Sequence, residues 1–309
     1  MRRMLFFLGK GGVGKSTISS AVSYQLNRLG STVLIVSLDP AHNLGDIFNM
    51  RLADERRSVV KGLDAMEIDL QGWVQRYLKK SRDEIISNYN YNLSINLDSY
   101  MNIMKYSPGT QEYATLWAIE HIYETWKDQY EYLVFDTPPT ALTLQFLAMP
   151  SITRLWVREL SSMREKILSK RQTLTRLNPE ASVLKGATKK EDDKVSMQLG
   201  SISDRLEKLY RLFTERSYMS LVINDDRLSL EESKRIRQEL QKLQITINSV
   251  CLNKIPSVAD SHPEIENHFA SFPINKIASV PGGIHRTEDL SALTIDKILD
   301  HIRQQEPSA

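Results

Sequence analysis

The stretch that decides the fold is Met1–Thr17, MRRMLFFLGKGGVGKST. An apolar run, Met4–Leu8, leads straight into Gly9-Lys10-Gly11-Gly12-Val13-Gly14-Lys15-Ser16, which fits G-x-x-x-x-G-K-[ST]. The run is too short for the apolar core of a secretory signal, so it reads as a buried first strand. A helix should begin at Ser16 and end near Leu29, with Gly30 as its stop. Glycines let successive backbone N–H groups turn toward phosphates, and a helix N-terminus adds positive potential. In this pattern Lys15 reaches the β and γ phosphates and Ser16 coordinates Mg²⁺, while Gly11, Gly12, Val13, Gly14 and Thr17 complete the cradle. Lys10 is a second lysine, at the start of the loop, where its side chain is poorly placed to serve the same nucleotide. Pointing outward, it can stabilise the transferring phosphoryl group of a facing subunit, as an arginine finger does in trans. That role requires a dimer.

Further runs rich in β-branched and aromatic residues read as buried strands: TVLIVSLD from Thr32, YLVFD from Tyr132, MSLVIN from Met219, INSVCLN from Ile247 and KIASV from Lys276. AMEIDL from Ala65 is a weaker member of the set. Near-continuous hydrophobicity with helices between is what a parallel sheet covered on both faces requires. The expected fold is α/β, a doubly wound, mostly parallel sheet in one domain spanning residues 1–309, with an inserted α-helical subdomain formed by 73–127 and 151–216. The first helical stretch should break at YSPGTQ, Tyr106–Gln111, and the second carries a candidate mobile loop at Asn178–Lys194.

Lys plus Arg (40) nearly balances Asp plus Glu (38), so nothing global argues for a nucleic-acid partner. The single cysteine, Cys251, excludes an internal disulfide or a cysteine-built metal cluster within one chain and reads as a buried small hydrophobe. The six histidines show no H-x-x-x-H or H-E-x-x-H spacing. No run approaches the roughly 18 apolar residues that span a bilayer, and the expectation is a cytoplasmic protein.

KGGVGKST resembles the deviant Walker A motif of the SIMIBI group of P-loop ATPases, whose first lysine reaches across a dimer. SLDPAHNLGDIF (Ser37–Phe48) resembles switch I of the ArsA/Get3 (TRC40) family, and FDTPPTALTLQFLAMP (Phe135–Pro150) its switch II. DRLSLEESKRIRQELQKLQITINSVCLN (Asp226–Asn253) is similar to the family's nucleotide-proximal helix and strand. The resemblance implies ATP and Mg²⁺ as cofactors. By it, Asp39, at a strand end, orients the attacking water, and Asp136, ending another strand, holds the Mg²⁺ shell with Ser16. Asn253 follows a strand and reads adenine, Asp226 stands where the family commonly has a nucleotide-site glutamate, and Pro281 lies where the family covers adenine.

The chain also departs from the family. One cysteine cannot supply the thiolates of an arsenite site, nor the C-x-x-C that clamps many Get3 dimers through zinc. Ala141 and Leu142 replace the usual Gly-His of switch II. The resemblance implies a nucleotide-switched homodimer that targets hydrophobic, tail-anchored membrane proteins, or alternatively the ATPase subunit of an arsenite or anion exporter working with a membrane pump or receptor subunit. A MinD/ParA-like positioning ATPase is a second alternative. Met101, Met104, Met149, Met163 and the four tryptophans, Trp73, Trp117, Trp126 and Trp156, fit either helix core or an adaptable client surface. In Leu160–Leu177, Met163, Ile167, Leu168 and Leu174 fall close to one helical face. Near the C-terminus Ile295, Ile298, Leu299 and Ile302 form a stripe better suited to core packing than to a membrane.

Overall fold

The computed structural model describes residues 3–41, 43–89, 97–177, 187–280 and 282–304. Pro281, and the 178–186 part of the candidate loop, lie outside them. The strands are β1 (Arg3–Leu8), β2 (Val33–Ser37), β3 (Arg57–Val60), β4 (Leu63–Glu67), β5 (Tyr132–Asp136), β6 (Ser217–Asn224), β7 (Ile247–Ile255) and β8 (Ile274–Ala278). They form one sheet in the order β3-β4-β2-β5-β1-β6-β7-β8, parallel throughout except for the antiparallel β3–β4 pair.

Alternation along the inner strands divides the core into two layers. Met4, Phe6 and Leu8 of β1 face one side with Leu34 and Val36 of β2, while Leu5 and Phe7 face the other with Val33 and Ile35. The first layer is covered by α3 (Leu70–Tyr89), α5 (Thr110–Trp126), α7 (Lys194–Glu215) and α8 (Arg227–Lys242), and the second by α1 (Lys15–Arg28) and α10 (Asp296–Gln304). Burial on both faces removes the need for polar alternation, which is why these strands read as unbroken apolar runs. Leu29 and Gly30, the latter with φ +99°, close α1 in the position expected of a glycine stop.

The C-terminal stripe is core: Ile295, Ile298, Leu299 and Ile302 are all buried in the second layer. Cys251 is buried too, with its Sγ 3.1 Å from Ser220 Oγ. The first helical stretch holds α3, α4 (Leu97–Met104) and α5, and the break falls between Met104 and Thr110, as YSPGTQ implied. Gly109 there has φ +88°.

Several boundaries move. The helix expected from Ser151 begins at Thr140, just after Pro138 and Pro139, and runs to Leu177 as α6, about 57 Å at 1.5 Å per residue. Pro150 lies inside it and is buried, so tertiary packing offsets the roughly 3 kcal/mol that an interior proline costs. Asp39 lies two residues beyond the end of β2, in a loop, and not at the strand end. Asn253 lies inside β7, which continues to Ile255, and does not follow it. β3 had no apolar signature because its first two residues, Arg57 and Ser58, are exposed on a sheet edge.

Candidate nucleotide site

β1, β2, β5, β6 and β7 all end on one edge of the sheet, and the glycine loop leaves β1 at that edge. Strand order reverses here, since β1 feeds β2 on one side and β5 feeds β6 on the other. A doubly wound sheet opens its ligand crevice at such a point.

Within the loop, Gly9 (φ +152°), Gly12 (φ +82°) and Gly14 (φ +95°) all take positive φ. Two of them also have no room for a side chain. A Cβ at Gly9 would lie 2.3 Å from Val222 O, and one at Gly14 would lie 2.4 Å from Asn253 Nδ2. Side chains tie down the loop carbonyls: Asn253 Nδ2 donates to Val13 O at 2.8 Å, Lys254 Nζ to Gly12 O at 2.8 Å and Lys15 Nζ to Lys10 O at 3.4 Å. A peptide plane carries its N–H opposite its carbonyl, so drawing Val13 O to Asn253 turns the Gly14 N–H the other way. α1 then starts with no side-chain cap and no acidic residue in its first turn. Its first N–H groups have no partner within the helix, which makes the end a ready anion cradle. The residues present fit phosphates.

Asp136 is the electrostatic centre of the crevice. Its backbone pairs in register with Phe7 of β1 and Ser37 of β2, and the carboxylate is fully buried. Neither oxygen accepts a hydrogen bond of good geometry, although the Ser16 and Ser19 hydroxyls lie near enough to favour the ionised form. Burial pushes the carboxyl up to about 7, opposed by Ser16 and the Lys15 ammonium and reinforced by Asp39. Burial in turn lowers Lys15 from its usual value, against the pull of Asp136 and Asp39. An orphaned buried carboxylate beside a serine hydroxyl and a lysine is a fitting place for a hard divalent cation. Mg²⁺ is commonly bound through one or two carboxylates plus substrate phosphates, a donor set that Asp136 and the Ser16 hydroxyl fit.

Of the other predicted residues, Asp39 lies close enough to act on the charges of Asp136 and Lys15, and Asn253 touches the loop. Asp39 is half-buried, and its Oδ1 accepts the Ala41 N–H at 3.0 Å, which shapes the loop after β2. Asp226 is exposed and caps α8, accepting the Ser229 N–H at 2.8 Å. Asn253 supports the loop through its amide. The Lys10 side chain is half-buried and makes no hydrogen bond or ion pair among the described residues. Lys254 was missed in the sequence. Nothing in its spacing marks it, and only its left-handed backbone (φ +58°) swings Nζ onto Gly12.

The sequence profile of the family described as anion-transporting ATPase matches residues 2–293. The chain belongs to the anion-transporting ATPase family. It is an ATP-hydrolysing P-loop enzyme of the ArsA/Get3 type, and ATP with Mg²⁺ is typical of that family. The ATPase is 29% identical to "ATPase get3" of Schizosaccharomyces japonicus over 94% of this chain and 90% of that protein. It is 31% identical to "ATPase GET3" of Komagataella phaffii over 84% of this chain and 74% of the relative. A protein of Aquifex aeolicus provisionally named an arsenical pump-driving ATPase is 29% identical, over 82% of this chain and 80% of its own length. Among the described residues of the ATPase, no helix is long and apolar enough to cross a membrane.

Proposed function

We propose that this ATPase is a nucleotide-switched homodimer in the cytoplasm that shields hydrophobic segments of membrane proteins, tail-anchored ones among them. The observation that carries the reading is an exposed apolar stripe on α6. Ile152, Trp156, Leu160, Met163, Ile167 and Leu174 recur at helical spacing on one face, and each is 46% exposed or more. An exposed apolar stripe of this length supports a role as an interaction surface. Leu168, close to that face in sequence, is instead buried, as is Val157. The helical stretches 73–127 and 151–216 would act together as the client-binding subdomain.

α6 begins four residues after Asp136, through Thr137, whose Oγ1 donates to Phe7 O at 2.5 Å. The helix that bears the stripe therefore grows directly from the strand that ends in the buried carboxylate. In this reading Lys15, Ser16, Thr17 and the amides of Gly11–Gly14 hold the phosphates, Ser16 and Asp136 hold Mg²⁺, and Asp39 orients the attacking water. Mg²⁺ held there would neutralise charge developing on the transferred phosphoryl group. Asn253, Asp226 and Pro281 serve the base, and Lys10 serves the partner's nucleotide. ATP binding draws the two copies together so that their stripes form one shared groove.

The test is capture of a purified tail-anchored transmembrane segment as a soluble complex, with ATP and Mg²⁺ or with ADP. Nucleotide-dependent capture is expected, and replacing Leu160 and Met163 together by Glu should abolish it. If the double variant captures as well as the parent, the stripe is not the client surface. The family description and the Aquifex relative favour a second reading, the driving subunit of an oxyanion exporter. Stimulation of ATP turnover by arsenite or antimonite, without capture, would select it.

A further inference from the structure

A second cavity lies away from the phosphate loop, between β4, α3 and α5. We propose that it is a binding site for a small planar aromatic anion, a ligand distinct from nucleotide and from any apolar client. Its volume is about 470 Å³, within the roughly 300–1,000 Å³ of small-molecule sites, and its walls include three of the chain's four tryptophans, Trp73, Trp117 and Trp126. Trp73 and Trp117 meet edge to face at 5.4 Å, with His121 also 5.4 Å from Trp73. Indole edges, together with the planar guanidinium groups of Arg76 and Arg56 laid over Trp73 and Trp126, line one concave surface that suits a flat ring.

The cations beside the indoles select the charge of the ring's substituent. Arg76 Cζ lies 4.1 Å over Trp73, and Arg56 Cζ lies 4.6 Å over Trp126. Both guanidinium groups are anchored from behind. Arg76 is paired with Asp54, which also accepts the Trp73 Nε1–H at 2.7 Å and the Asp69 N–H at 3.2 Å. Arg56 uses Nη1 for both of its bonds, to Tyr130 OH at 2.7 Å and Asp64 Oδ2 at 3.3 Å. Among the described residues its Nε and Nη2 make no hydrogen bond, which leaves their N–H groups for a ligand. Asp54 and Arg76 satisfy each other, so the donors left for a ligand are the remaining N–H groups of Arg56 and the His121 ring, against one exposed carboxylate, Glu55. Walls fixed in advance lose little order on binding, and a carboxylate meeting a guanidinium makes the stronger, charge-assisted kind of hydrogen bond.

The probe is 4-nitrobenzoate, a planar aromatic anion that quenches indole on contact, compared with neutral 4-nitrobenzyl alcohol. Trp156, 66% exposed on α6, is the indole outside the cavity, and a Trp156→Phe background leaves only the cavity's three to report. Saturable quenching by the acid is expected, at least tenfold tighter than by the alcohol. Arg56→Gln should weaken it by roughly tenfold, the loss of one charge-assisted hydrogen bond. Thr125→Phe, which fills the cavity's wall without touching a charge, should abolish saturation, and Arg158→Gln on α6 should change nothing. Linear quenching without saturation, equal binding of acid and alcohol, or folded Arg56→Gln and Thr125→Phe variants that bind like the parent would each overturn the proposal. Should Arg56→Gln fail to fold, Thr125→Phe decides alone.

Discussion

Gly14 concentrates the demands of the phosphate loop in one residue. Its φ of +95° costs an L-residue about 1–2 kcal/mol, and a Cβ would displace the Asn253 amide from Val13 O. Gly14→Ala should therefore weaken ATP binding at least tenfold, measured with a fluorescent ATP analogue, and lower the melting temperature. Retention of parental affinity would mean that Asn253 can yield without cost. Asp39 makes a different prediction, because in an amide one oxygen can still accept the Ala41 N–H while the second becomes an NH2 group, which donates and cannot accept from an attacking water. Asp39→Asn should bind ATP with near-parental affinity and hydrolyse it at least a hundredfold more slowly; comparable turnover would remove Asp39 from the reaction. At this scale the sequence was informative where spacing carries chemistry, as from Gly9 to Ser16 and at Asp136. It was silent on Lys254, whose contact with Gly12 joins residues 242 positions apart through one unusual φ.

Among the elements, the α6–α7 hairpin depends on Asp193. It caps α7 through the Ser196 N–H at 2.9 Å and receives Arg164 of α6 at 2.6 and 2.9 Å. The Arg164 guanidinium, helped by the Ser196 N–H and hydroxyl and opposed by partial burial, holds its carboxyl well below the usual carboxylate range. A depressed folded-state value contributes stability that is fully present above the unfolded value, near 4, and is lost as pH falls toward the folded one. Asp193→Ala should cost about 1–2 kcal/mol at pH 7, the upper range of a lost helix cap, and the gap from the parent should narrow below about pH 4. A gap in urea unfolding that does not change between pH 7 and pH 3 would show the ion pair to be without effect. Elements buried on both faces were legible as apolar runs, whereas β3 and the start of α6 were not. Exposed Arg57 and Ser58 erase the strand pattern, and Pro150 imitates a helix end because local propensity cannot register the packing that tolerates it.

For the whole molecule, the Lys10 side chain is half-buried and makes no hydrogen bond or ion pair among the described residues, and the role proposed for it needs a second copy. Lys10→Ala should bind ATP yet stay monomeric in sedimentation with ATP and Mg²⁺, and its turnover should fall to near background; an ATP-dependent dimer with full turnover would return Lys10 to the solvated surface. The order of strands explains why the fold could be anticipated and the client could not. A parallel sheet dictates the apolar pattern of its strands and the place of its ligand crevice. An exposed helical stripe reads in sequence like any amphipathic core helix, and Trp73 and Trp156 differ only in what the tertiary structure lays over them.

Cys251 carries a consequence of another kind. Burial pushes its thiol up to about 12, and it rests against Ser220 inside the sheet, so at neutral pH it offers no thiolate to peroxide, disulfides or alkylating reagents. Through its cysteine the redox state of the surroundings has no grip on this ATPase, whose turnover should be alike in oxidising and reducing conditions. Any cysteine introduced on its surface becomes the single reactive thiol of the chain.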